Sequence, residues 1–255
     1  MESAPKDKIT KEEEKTNNTS KNSNYFSNKK FTDFDLSPSI LETLTQLGYE
    51  TATEVQAKSI PLLLNGEDII GSAKTGSGKS LAFLIPAAEV LLKNLNSEGI
   101  QVLVLSPTRE LAMQLFNVAK DLMRDNGTIC SIVIGGGNRK KENEALKSGN
   151  VKLLVATPGR LLDHIENTKG FKYDSLKVLV IDEADKILNI GFEEELKAIL
   201  RMIPKERQTM LFSATMNEKV EDLIKLSMKS YESVRIKSTE PTVSSSSHST
   251  SSSTK

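Results

Sequence analysis

The stretch Ala73-Lys74-Thr75-Gly76-Ser77-Gly78-Lys79-Ser80 follows an apolar run and opens a helical pattern. Gly76 and Gly78 let a backbone wrap closely around an anion, and amides at a helix start supply partial positive charge. Lys79 adds a full charge that can reach β- and γ-phosphates, and Ser80 a hydroxyl for Mg²⁺. Ala73 stands where the strict loop pattern has its first Gly. Further along, Val178-Leu179-Val180-Ile181 runs into Asp182-Glu183-Ala184-Asp185. Asp182, just past an apolar strand, is placed to hold Mg²⁺ through water. Glu183 can polarise water for in-line attack on a γ-phosphate. Each stretch alone has a plainer reading, a Gly/Ser/Lys loop or an acidic helix cap. Their combination points to nucleotide chemistry.

Such groups need a rigid frame. Apolar runs at Asp68–Ala73, Val102–Ser106, Ser131–Gly135, Leu153–Thr157, Val178–Asp182 and Thr209–Ser213 read as strands. Several are apolar at consecutive positions, as strands buried on both faces are. Between them, Lys79–Asn94, Arg109–Asp125, Lys140–Lys147, Gly159–Glu166, Phe192–Met202 and Glu218–Met228 carry helical patterns. The alternation predicts an α/β fold, a parallel sheet flanked by helices. About six units fall short of the eight of a TIM barrel. In open sheets of this class ligands gather at the carboxyl ends of the strands. The glycine-rich and polar residues cluster there.

Composition bounds the rest. Of 255 residues, 34 are Lys or Arg and 34 are Asp or Glu. Zero net charge argues against a basic nucleic-acid coat protein but leaves room for a local phosphate-binding face. One Cys and two His exclude a disulfide framework and a Cys-rich zinc site. The longest nearly apolar stretch, Leu81–Leu92, contains Pro86 and Glu89 and is too short to span a bilayer. No apolar signal segment opens the chain, and no membrane partner is expected. Residues 1–30, rich in Lys, Glu, Asn, Ser and Thr, read as a disordered tail. Residues 238–255 read as a Ser/Thr-rich flexible tail. The folded region is then 31–237.

The phosphate loop, Asp182-Glu183-Ala184-Asp185 and Ser213-Ala214-Thr215 together resemble the DEAD-box RNA helicases. So do Pro107-Thr108-Arg109-Glu110-Leu111, Gly135-Gly136 and Thr157-Pro158-Gly159-Arg160. The motifs occur in the family's order. The resemblance covers residues 31–237 and implies the first of that family's two RecA-like P-loop domains. ATP and Mg²⁺ are the implied cofactors and RNA the implied partner. The segment around 29–57, with Gly48-Tyr49-Glu50-Thr51-Ala52-Thr53-Glu54-Val55-Gln56, resembles the family's adenine-reading Q motif. By resemblance Gln56 pairs with adenine N6 and N7, Thr53 belongs to the same nucleotide site, and Phe31 stacks on the base. Thr75, Gly76, Ser77, Gly78, Lys79 and Ser80 hold the phosphates, with Ser80 and Asp182 serving the metal. Lys79, Asp182 and Glu183 are the implied catalytic set. Ala52 stands where the family usually has Pro, and Ser80 where it usually has Thr.

Pro107, Thr108, Arg109, Glu110, Gly135, Gly136, Thr157, Pro158, Gly159 and Arg160 are the implied RNA contacts. Hydroxyls, helix starts and guanidinium groups suit phosphate tracking. Thr108 and Thr157 also read simply as helix N-caps. Asp185, Ser213 and Thr215 resemble the motifs that couple nucleotide state to RNA binding. His164 reads as a surface histidine, Met202 and Met210 as core fillers, and Glu193-Glu194-Glu195 as a solvated face.

Gly136-Gly137-Asn138-Arg139, Arg160-Leu161-Leu162-Asp163-His164 and Gly191-Phe192-Glu193-Glu194-Glu195 are similar to the nucleolar helicases of ribosome assembly. That likeness implies a nuclear, nucleolar site, pre-ribosomal RNA as substrate and pre-ribosomal proteins as possible partners. No segment after Lys237 resembles the second RecA-like domain. The chain alone is therefore expected to bind ATP weakly and to turn it over poorly. Two alternatives remain: a non-catalytic RNA- or protein-binding module on the same fold, and a P-loop ATPase acting on something other than RNA.

Overall fold

The computed structural model of this chain describes residues 25–72, 76–125 and 127–235. The strands are β1 (Phe26–Lys30), β2 (Thr51–Thr53), β3 (Ile69–Ser72), β4 (Val102–Leu105), β5 (Ile129–Val133), β6 (Val151–Ala156), β7 (Val178–Ile181), β8 (Gln208–Ser213) and β9 (Glu232–Arg235). The helices are α1 (Pro38–Gln46), α2 (Glu54–Leu64), α3 (Lys79–Lys93), α4 (Arg109–Leu122), α5 (Arg139–Lys147), α6 (Pro158–Asn167), α7 (Ala184–Ile190), α8 (Glu193–Met202) and α9 (Glu218–Ser227). Among the described residues, seven strands form one sheet in the order β5-β6-β4-β7-β8-β3-β9. Every pairing in it is parallel.

The central strands β4 and β7 are apolar throughout, and all four residues of each are buried. Their side chains alternate between two cores. Val102, Val104, Val178 and Val180 meet residues of α1 to α4 on one face. Leu103, Leu105, Leu179 and Ile181 meet residues of α5 to α9 on the other. Each such side chain contributes about 1.5–3 kcal/mol on burial. Because both faces are covered, these strands lack the polar half of an alternating pattern.

Among the described residues, six elements lie where the sequence suggested none: β1, α1, β2, α2, α7 and β9. The disordered tail expected over residues 1–30 ends too late, because Phe26–Lys30 pairs antiparallel with β2. Ser27 Oγ donates to the Ala52 carbonyl at 2.8 Å, and Tyr25 accepts the Glu54 N–H at its own carbonyl. Residues 1–24 and 236–255 lie outside the described residues. The edge strand β9 is mostly exposed and has too little apolar pattern to be read from sequence.

The parallel topology brings every loop of interest to one edge of the sheet. The ends of β5, β6 and β4 are neighbours, and those of β7, β8 and β3 continue the row. The glycine pair, Thr157-Pro158-Gly159-Arg160 and Pro107-Thr108-Arg109 lie on the first half. Asp182-Glu183, Ser213–Thr215 and the phosphate loop lie on the second.

Candidate functional site

The second half of the row opens onto a cleft of about 960 Å³. Its walls include Thr53 and Gln56 of the α2 start, Gly76, Gly78, Lys79 and Ser80 of the loop, and Asp182 and Glu183 after β7. Thr75, with Ala73 and Lys74, lies outside the described residues. Lys79 is the first residue of α3 and Gly78 its N-cap, at φ +90°. Gly76 is also left-handed, at φ +81°. A Cβ on Gly78 would come within 2.7 Å of Gln56 Nε2 and 2.8 Å of Thr53 Oγ1. Conformation and close approach both therefore require glycine there. The helix start and Lys79 make this end of the cleft suited to an anion.

Gln56 is buried and holds α2 to the loop. Its Oε1 accepts the Thr53 N–H at 2.8 Å, and its Nε2 donates to the Gly78 carbonyl at 3.0 Å. These partners fix which end of the amide is oxygen. One N–H and one lone pair remain, a donor and an acceptor side by side.

Asp182 and Glu183 are both buried. Burial pushes the Asp182 carboxyl up to about 6, even though neighbouring Lys79 pulls it down. Its Oδ1 has no hydrogen-bond partner among the described residues. An orphaned carboxylate oxygen in the same cleft as Ser80 is suitable chemistry for a hard divalent cation. Among the described residues no group of three His, Cys, Asp or Glu could hold a metal ion. Glu183 occupies the left-handed region at φ +51° and ψ +50°, as N-cap of α7. A non-glycine residue held there costs on the order of 1–3 kcal/mol and needs support from its surroundings. Lys186 reaches back to Glu183 Oε2 at 2.9 Å.

From Asp185 a link crosses to β8. Its Oδ2 accepts both the Thr215 N–H, at 3.1 Å, and the Thr215 hydroxyl, at 3.0 Å. Burial would raise this carboxyl, but the hydrogen bonds, those of Thr215 first, outweigh it and hold the group below its usual range. Ser213 lies alongside and donates to the Thr215 carbonyl at 2.6 Å.

On the first half of the row, Thr108 caps α4 by accepting the Leu111 N–H at 3.2 Å. Thr157 occupies the N-cap of α6 with Pro158 next, but its side chain makes no capping bond. Pro107 is buried, whereas Arg109 and Glu110 are exposed. The Arg109 guanidinium lies over Gly135 and Gly136, 3.0 and 2.7 Å from where their Cβ atoms would be. Gly159 and Arg160 begin α6.

The fold is found in known proteins. The DEAD/DEAH box helicase family matches residues 53–223. The chain belongs to this family. Among curated DEAD-box relatives, "ATP-dependent RNA helicase HAS1" of Scheffersomyces stipitis is 57% identical over 205 residues, covering 79% of this chain and 36% of its own length. The Schizosaccharomyces pombe protein of that name is 55% identical over 204 residues, covering 79% and 35%. This chain thus spans about a third of the length of these relatives. Among solved structures, a DEAD box protein from Methanococcus jannaschii superposes with a TM-score of 0.76 at 36% identity, covering 82% of this chain and 56% of that one. A protein from Sulfolobus tokodaii titled a hypothetical ATP-dependent RNA helicase gives a TM-score of 0.69, also at 36% identity.

Within this DEAD-box framework several expectations change. Phe31, expected to stack on adenine, is buried, 6.2 Å from the Phe34 ring, and packs in the core with α1. The aromatics that line the cleft are Tyr25, Phe26 and Tyr49, all partly exposed. Tyr25 and Phe26 went unnoticed because they end a polar stretch. His164 is no surface histidine: it is fully buried between Glu142 and Thr168. Met210 is core, but Met202 is exposed, at the end of α8. Gln114, Leu115 and Val118 of α4, which no motif marked, line the cleft beside Leu111.

Proposed function

We propose that this chain is the nucleotide-binding half of an ATP-dependent RNA helicase, hydrolysing ATP to ADP and phosphate. The observation that carries the reading is that one sheet edge gathers the phosphate loop and Asp182-Glu183 on one half and the loops of Thr108, Gly135-Gly136 and Arg160 on the other, meeting at adjacent strands β4 and β7. We read the first as the nucleotide half and the second as the polymer half. Gln56 offers its remaining donor and acceptor to adenine N7 and N6. Gly76, Ser77 and Gly78 present amides to the phosphates, with Thr75 by resemblance, and Lys79 neutralises the terminal ones. Ser80 and Asp182 would hold Mg²⁺, which would supply charge neutralisation to the phosphates. Glu183 orients the attacking water and accepts its proton. The buried setting of Asp182 and Glu183 strengthens each electrostatic contact.

Pro107, Thr108, Arg109 and Glu110, with Gly135, Gly136 and Thr157 to Arg160, track the phosphates of RNA. By resemblance Asp185, Ser213 and Thr215 couple the nucleotide to RNA, supported by their link, within the nucleotide half, from the turn after Asp182-Glu183 to the end of β8. The name shared by several relatives supports an ATP-dependent RNA helicase, and the resemblance of residues 160–164 and 191–195 supports a role in pre-ribosomal RNA processing in the nucleolus. A second RecA-like domain would complete the site with arginines facing the γ-phosphate.

The test is steady-state ATPase with and without single-stranded RNA. It compares the 255-residue chain with the same chain joined to a second RecA-like domain. An arginine across a phosphoryl-transfer site is worth about 10³–10⁵ in rate. The joined protein should turn over with RNA stimulation and the single chain hardly at all. Robust RNA-stimulated turnover by the single chain would overturn the half-site reading.

A further inference from the structure

Arg160 meets the polymer half of the edge already held from inside the protein. Its Nε donates to Glu142 Oε2 at 2.8 Å and its Nη2 to the Gly137 carbonyl at 2.9 Å. Only 16% of its side chain is exposed. Glu142 lies on α5 and is itself buried. The same Oε2 accepts from His164 Nε2 at 3.0 Å. On the far side of the ring, Nδ1 shares a 2.9 Å hydrogen bond with Thr168 Oγ1, which donates to Asn143 Oδ1 at 2.8 Å. An unbroken chain of bonds therefore runs from Asn143 through Thr168, His164, Glu142 and Arg160 to the Gly137 backbone. Arg139 and Asp163 pair beside it at 3.0 Å, with Asp163 Oδ2 4.0 Å from Arg160 Nη1. A Cβ on Gly137 would collide with Glu142 Oε1.

A buried charged network is a poor way merely to hold two helices together, since apolar packing of the same volume often does as well. What it provides is direction. Arginine has five N–H donors in a fixed plane. Two are engaged with Glu142 and Gly137, which fixes where the others point. The loop 135–137 is then gripped from both sides, with Arg109 lying over Gly135 and Gly136 and Arg160 bound to Gly137. Neither Glu142 nor His164 lines the nucleotide cleft.

We propose that Glu142 and His164 are positioning residues for RNA, which hold Arg160 on the Gly137 carbonyl and so set the shape of the loop that receives an RNA phosphate. The inference rests on the RNA reading above. Losing the His164 bonds frees Glu142 to follow Arg160 outward, so phosphate contacts weaken without any change at the nucleotide cleft.

The experiment measures fluorescence anisotropy of a labelled oligouridine with the chain, beside affinity for a fluorescent ATP analogue and the thermal midpoint. Arg160→Ala should weaken RNA binding about tenfold, the scale of a charge-assisted hydrogen bond. His164→Leu should weaken it about three- to tenfold. His164→Gln, whose amide can both donate to Glu142 and bond Thr168, should stay close to the unaltered chain. Affinity for the ATP analogue should hold in all three. If Arg160→Ala weakens RNA binding and His164→Leu does not, the positioning role is overturned while the RNA reading stands. If Arg160→Ala binds RNA normally, the RNA reading of this face fails first. Equal losses of RNA and nucleotide affinity in His164→Leu would make the role merely structural and overturn the proposal. Should His164→Leu not fold, Glu142→Gln decides, since it keeps the shape and removes the charge. Normal RNA affinity in that variant would also overturn it.

Discussion

Thr215 gives Asp185 both its backbone N–H and its hydroxyl, at 3.1 and 3.0 Å, across the gap between β7 and β8. Thr215→Val keeps the first bond and removes the second. The site is partly exposed, so stability should fall by only about 0.5–1.5 kcal/mol. The clearer effect should be on Asp185, whose carboxyl rises when a donor is lost. Stability from this group is present above the unfolded carboxylate range and is lost as pH falls through its depressed folded value. Acid unfolding curves of the chain should therefore shift to higher pH in the variant. Superimposable curves would show that the hydroxyl does not hold Asp185 ionised.

Asp182 has the opposite sign. Its folded value is raised to about 6 by burial, so its ionisation opposes folding. The contribution is most favourable below the unfolded carboxylate range and is lost as pH rises through about 6. At about 1.4 kcal/mol per unit, the cost at neutral pH is on the order of 3 kcal/mol. Asp182→Asn should raise the thermal midpoint at pH 7.5 and gain much less at pH 4. An equal gain at both would show that burial does not strain this carboxylate.

Phe26 and Phe31 separate binding from packing. Phe31→Ala opens a hole in the core and should cost about 3–5 kcal/mol. Phe26 is 45% exposed and lines the cleft. Phe26→Ala should weaken binding of a fluorescent ATP analogue several-fold while leaving the melting temperature nearly unchanged. The reverse pattern would return the base-stacking role to Phe31.

Glu183 is assigned to chemistry and not to binding. In the chain joined to a second RecA-like domain, Glu183→Gln keeps the shape but removes the charge. Single-turnover hydrolysis should fall steeply with ATP affinity nearly unchanged. Unchanged hydrolysis would mean that another group positions the water.

The sheet was largely legible in the sequence because doubly buried strands have a distinctive signature. Val102–Leu105 and Val178–Ile181 are uninterrupted apolar runs of strand length, bounded by polar residues and rich in β-branched side chains. Partial exposure hid the edge strands. β9 buries one residue in four, and β1 is nearly all exposed and held by backbone pairing to β2. Gly76 to Ser80 and Asp182-Glu183 could be placed at one edge from sequence because each follows an apolar strand, and both border the same cleft. Phe31 and His164 were misjudged for one reason, that burial is a property of three-dimensional packing. A histidine four positions from Thr168 looks like any helix-surface residue until α5 brings Glu142 against it.

Gln56 is the point at which the nucleotide cleft either reads adenine or does not. Its amide already bonds Thr53 and Gly78, leaving a donor and an acceptor that match adenine N7 and N6. Guanine presents an acceptor where adenine has its amino group, so one of the two bonds becomes a repulsion. The decisive measurement is a parallel titration of the chain, and of Gln56→Ala, with fluorescent ATP and GTP analogues. ATP should bind more tightly than GTP by about 1–3 kcal/mol, and the difference should vanish in Gln56→Ala. Equal affinity for the two bases in the unaltered chain would contradict the assignment of this cleft to ATP.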